Sequence, residues 1–100
     1  KNGNICDSNA SCGYEIMYGR TIMFTLLAPS LWSVIEAVAA PKNEKDSSRY
    51  LFKSSDNSGV IVEVFADQSE AGKKIEVLKA LQGLKEQAMA KVTILEGKSP

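Results

Sequence analysis

The sequence predicts an α+β domain with the element order β-α-β-β-α-β around one antiparallel sheet. Three observations predict it. Two β-rich runs, Arg49–Lys53 and Val60–Ala66, flank the polar cluster Ser54-Ser55-Asp56-Asn57-Ser58-Gly59. Asp and Asn tolerate left-handed backbone and Gly accepts positive φ, so the two runs close into a hairpin. Helical apolar spacing lies on either side of that hairpin, and a further β-rich run lies outside each helix.

The elements follow in order. Residues 1–13 are rich in Asn, Ser, Gly and Cys and read as a mobile tail, either leader or appended sequence, with Met17 a candidate initiator. From Tyr14 apolar residues recur on alternate positions, most clearly in Ile22, Phe24 and Leu26, which predicts a strand over Arg20–Leu27. Pro29 cannot donate to a ladder and Ser30 is a helix N-cap residue. Leu31, Val34, Ile35 and Val38 then repeat at helical spacing, with Trp32 beside that stripe. Pro41 ends the helix, and residues 42–48 read as a solvated loop. After the hairpin, Asp67 and Glu70 form a capping-box pattern opening a long helix over Ser69–Ala90. Unbroken it would span about 33 Å, well beyond a typical strand, so a bend is expected at Gly83. Lys91–Glu96 reads as the last strand, residues 14–97 as one domain and residues 98–100 as a tail.

A central hairpin with two crossover helices is the split βαβ, or ferredoxin-like, arrangement: four strands, with both helices on one face. If Ile22, Phe24, Leu26, Val60, Val62, Val64, Val92 and Ile94 meet the helices, the other face carries Met23, Leu27, Leu51, Ile61, Phe65 and Leu95 among Thr25, Glu63 and Thr93. Such a face is too apolar for water, and a second copy of the same sheet is the expected cover. Those six apolar residues are the expected dimer interface.

Here the sequence resembles the dimeric α/β-barrel superfamily, which includes the antibiotic-biosynthesis-monooxygenase-like proteins. The likeness lies in Arg49–Leu84: RYLFKS, a DNSG turn, VIVEVFAD, and a helix opening DQSEAGKKIEVLKAL. The resemblance implies a homodimer closed sheet to sheet. In that family, metal-free oxidation of polycyclic aromatics relies on Trp, Asn and Tyr or Arg around a cavity. Trp32 and Asn57 are present here, but neither falls in a matching motif. Haem-degrading relatives use a His ligand, which this chain lacks.

Composition narrows the chemistry. Twelve basic and twelve acidic residues give zero formal charge, which argues against nucleic acid and anionic membranes as partners. The absence of His removes the commonest general base and metal ligand. Cys6 and Cys12 are both in the tail, a poor metal set without His, so no metal and no cofactor are expected. The first strand–helix loop, Ala28-Pro29-Ser30, has neither the Cys pair of a copper chaperone nor a phosphate-cradling loop. The strand Val60–Phe65 lacks the aromatics of an RNA-recognition surface. The run Ile22–Ala28 is too short to span a membrane, and a cytoplasmic protein is expected.

The remaining candidates line an apolar pocket: Trp32, Met23, Phe65, Arg20 and Tyr50. Trp32 reads as a stacking wall or as packing beside Leu31 and Ile35. Arg20 interrupts an apolar alternation and either pairs with Glu15 or Glu63 or holds an anionic ligand. Two functions follow: a homodimer binding a hydrophobic small molecule, with monooxygenase-like chemistry at most, or a non-enzymatic module whose apolar face binds another protein.

Overall fold

In the computed structural model, residues 17–100 are described. The expected tail over residues 1–13, Glu15, Cys6 and Cys12 lie outside them. The order is β1 (Tyr18–Leu26), a 3-10 turn (Pro29–Leu31), α1 (Trp32–Val38), β2 (Lys42–Asn43), β3 (Ser47–Lys53), β4 (Ser58–Phe65), α2 (Gln68–Lys73), α3 (Glu76–Ala88) and β5 (Met89–Lys98). All neighbours in the sheet are antiparallel, in the order β2-β3-β4-β1-β5. Without β2, that is the strand order of the split βαβ arrangement.

Three expectations need correction. First, the sheet has five strands, because Lys42–Asn43 pairs with Arg49 and Ser48 across a tight turn closed by Glu44 N–H donating to the Ser47 carbonyl. A two-residue edge strand held by backbone bonds needs no apolar alternation, so its polar sequence read as loop. Second, there are three helices. Gly83 lies inside an unbroken α3, and the long helix breaks at Lys74 and Ile75 instead. The Asp67 cap forms as expected, its carboxylate accepting from Glu70 N–H at 2.8 Å.

Third, β4 alternates the other way. Ile22 stands opposite Ile61, Arg20 opposite Glu63 and Tyr18 opposite Phe65, and directly opposed residues share a face. Ile61 and Phe65 therefore belong to the helix-side core, at 0% and 2% exposure. Leu51, opposite Ile61, is on that side too and packs against the core. Val60, Val62 and Val64 take the open face instead.

Trp32 is also more central than expected. Trp32, Ile35 and Ala39 are the buried positions of the first helical segment and its C-cap, while Leu31, Val34 and Val38 are half-buried. The indole meets Phe24 edge-on, ring centroids 5.5 Å apart, and its N–H donates to the Asp56 carbonyl at 2.7 Å. Gly59 is required beneath it: a Cβ there would lie 2.5 Å from both the Trp32 ring and the Phe52 carbonyl oxygen.

Candidate functional site

The open face of the sheet is built from the odd-numbered positions of β1, those of β5 from Lys91 onward, and the even-numbered positions of β3 and β4; a register shift turns Met89 to the core instead. Four strands bring Met23, Tyr50, Phe52, Val60, Val62, Val64 and Leu95 onto it, among Thr21, Thr25 and Thr93. Met23, Tyr50, Phe52 and Leu95 are exposed by 40–58%, and Tyr50 and Phe52 stack at 6.5 Å. Lys91 is the single charged residue among the strand positions of this face. A shallow depression of about 440 Å³ lies at one end of it. Met23, Phe24, Thr25, Val60 and Thr93 line it together with Ser54, Ser58, Gly59 and Lys91.

The opposite face carries the charge. Arg49, Glu63, Arg20 and Glu96 stand directly opposite one another in successive strands β3, β4, β1 and β5. The Glu63 carboxylate accepts from Arg20 at 3.2 Å on one oxygen and from Arg49 at 3.4 Å on the other; Arg20 also donates to Glu96 at 3.1 Å. The row sums to zero charge, and Arg20 and Glu63 are each only 2% exposed. Buried ions are tolerated only when paired and hydrogen-bonded on their remaining groups. Arg20 meets that condition: it donates to the Ala71 and Lys74 carbonyls at 2.8 and 3.0 Å and lies 5.0 Å from the centre of the Phe65 ring.

Those carbonyl bonds explain the helix break. A break leaves the last carbonyls of α2 without helical partners, and a buried guanidinium supplies donors there. Arg49 does the same for the Ala40 carbonyl at 3.1 Å beyond α1. At the exposed end of the row, the Tyr18 hydroxyl donates to Glu96 at 2.9 Å. This bond, first among the causes, raises the Tyr18 pKa above its ordinary value.

The sequence-derived site residues are thus separated. Met23 and Tyr50 share the open face, with Met23 in the depression. Arg20 and Phe65 are in the core on the helix side, and Trp32 is buried between α1 and the hairpin turn. Of the expected interface, Met23 and Leu95 lie on the open face, Leu27 follows β1 and is 56% exposed, and Leu51, Ile61 and Phe65 lie on the other side. Phe52, Val60, Val62 and Val64 join this face because β3 and β4 both alternate opposite to the expectation from sequence. Among the described residues no cluster of three His, Cys, Asp or Glu is placed to hold a metal ion, and no helix is long and apolar enough to cross a membrane.

Neither a family model nor a curated protein matches the chain. Solved structures do match its shape. A Pseudomonas aeruginosa protein, PA3566, superposes with a TM-score of 0.68 at 16% identity, covering 88% of this chain and 99% of that one. A protein of unknown function from Nitrosomonas europaea, NE2512, gives 0.64 at 11% identity over 87% and 92%. SnoaB, a cofactor-independent oxygenase from Streptomyces nogalater, gives 0.48 at 18% identity over 85% and 92%, a superposition too loose to carry an argument. At these identities the first two matches establish a shared fold.

Proposed function

We propose that this chain works as a homodimer closed through the open sheet face, holding an apolar small molecule against that face. The observation that carries the reading is an apolar surface contributed by four strands and almost free of charge. A two-fold axis sets a patch against itself, so a charged patch would meet its own charge. This face meets none except at Lys91, and the zero net charge adds no long-range repulsion. A partner chosen by charge complementarity would find little to read there, which favours a second copy over an unlike protein.

The depression beside Met23 is open on one side, so a second sheet would roof it. Its lining joins apolar groups of Met23, Phe24 and Val60 to the hydroxyls of Ser54 and Ser58 and the Lys91 ammonium, which suits an apolar ligand oriented by one or two polar contacts. Metal-free monooxygenase-like chemistry, which the family resemblance implies, would fall to groups on this face, where Tyr50 supplies a phenol.

Nile red, a neutral apolar fluorophore, tests the reading when titrated into the wild type and Val62→Lys. Val62 is half-buried at the centre of the face, between Thr21 and Tyr50. The reading predicts saturable binding to the wild type, abolished together with the dimer in the variant. Equal binding by both proteins would overturn it.

A further inference from the structure

A second recess lies on the other side of the sheet, between α3 and β5. Its volume is about 150 Å³, and Leu78, Leu81, Gln82, Lys85, Val92 and Ile94 line it. It marks a gap in the helical cover. Ile94 and Ile22 stand opposite each other on the same face, yet Ile22 is 0% exposed and Ile94 is 41% exposed. A helix-side residue directly beside the core centre is thus left open to solvent.

The helical wall has a direction. Leu78, Leu81, Gln82 and Lys85 follow at i, i+3, i+4 and i+7, one stripe down α3. The stripe is apolar at its first two positions and polar at its last two. Val92 and Ile94, on β5 opposite, keep the floor apolar throughout. Lys85 forms no ion pair among the described residues; the nearest acidic residue in sequence, Glu86, is its immediate neighbour and points to a different part of the helix surface.

We infer that this recess binds a small apolar carboxylate, with its hydrocarbon body against Leu78, Leu81 and Ile94 and its carboxylate at the Lys85 ammonium and Gln82 amide. Size and charge select that occupant. Apolar cavities of about 150 Å³ accept a single benzene-sized ring, which is too small for a segment of protein chain. The cationic and amide donors at one end match a carboxylate and discriminate against a neutral analogue of the same shape.

The probe is benzoate, with benzamide as its neutral counterpart, followed through the 13C methyl signals of Leu, Val and Ile. Benzoate should give saturable shifts centred on Leu78, Leu81, Val92 and Ile94. Lys85→Met, at an exposed position where folding is not at stake, should weaken benzoate at least tenfold and leave benzamide within twofold. Absent shifts, shifts centred elsewhere, or an unchanged benzoate affinity in Lys85→Met would each overturn the proposal. The recess is on the face away from the proposed dimer contact, so the shifts should persist in Val62→Lys, whatever that variant does to self-association.

Discussion

The helix-side face of the sheet carries Arg49, Glu63, Arg20 and Glu96 in one continuous row, the first three buried and Glu96 at its exposed end, whereas the open face, one residue out of step on every strand, carries Lys91 alone. Simple amphipathic patterning would put these charges outside and the valines inside. The inversion has a physical reason on each side. Inside, each charge of the row has a partner of opposite sign, spare donors of Arg20 pair the Ala71 and Lys74 carbonyls at the end of α2, and Arg49 pairs the Ala40 carbonyl just beyond α1. Outside, the absence of charge leaves a surface suited to another apolar surface. A strand's charged residue does not mark its solvent side when a complementary charge waits on the neighbouring strand.

The largest effect is expected from breaking the inner row. Arg20→Met removes one partner of Glu63 and the donors to Ala71 and Lys74, and leaves a buried carboxylate with Arg49 alone. Breaking a buried pair from one side costs about 3–5 kcal/mol, so urea denaturation should show a loss of that order, with hydrogen exchange fastest around residues 71–75. A loss below about 1 kcal/mol would mean that the row does not hold the helix break.

Gly59→Ala probes the point where the hairpin, α1 and β3 converge. The new methyl must displace the Trp32 ring or the Phe52 backbone, and overpacking of this kind costs about 1–3 kcal/mol. Trp32 fluorescence should shift to longer wavelength as the indole loses its packing. An unchanged spectrum and midpoint would contradict the close approach.

Gly83→Ala acts in the opposite direction. The helix runs through this position, and nothing lies within 4 Å of the added methyl. Alanine should stabilise by about 0.5–1 kcal/mol, as at an exposed helix interior. Destabilisation would restore the bend expected from sequence.

The smallest effect is at the exposed end of the row. Tyr18 titrates above its ordinary 10.0 because its hydroxyl donates to Glu96. A raised folded-state pKa gives stability present below the unfolded value and lost as pH rises through the folded one. Tyr18→Phe should therefore match the wild type more closely at alkaline pH than at neutral pH. A difference that grows with pH would contradict the assignment.

Much of the fold was legible. The hairpin and the Asp67 cap follow from local chemistry that the structure retains, and the β-α-β-β-α-β order holds once the edge strand β2 and the break between α2 and α3 are added. The parity of β4 was misread because Val60, Ile61, Val62, Val64 and Phe65 fill both faces with apolar residues, leaving Glu63 as the sole guide. A sharper signal was available on β1, where Arg20 shares the parity of Ile22, Phe24 and Leu26. An arginine in phase with core residues needs a buried carboxylate, and Glu63 is the strand acid that answers it. The break at Lys74 and Ile75 had no local signal, since a guanidinium from a strand more than fifty positions earlier stabilises it. Gly83 looked like the breaker only because propensity was the sole information there. On the open face, Met23 and Leu95 stand where the sequence places them, whereas Tyr50, Phe52, Val60, Val62 and Val64 stand there because β3 and β4 both alternate the other way.

The most direct test of the open face as a self-association surface is sedimentation of the wild type and Val62→Lys across a dilution series. The wild type should show a mass near twice 10.8 kDa that resists dilution, and the variant should be a folded monomer. A wild type that sediments as a monomer, or a variant that stays dimeric, would contradict self-association through the open face.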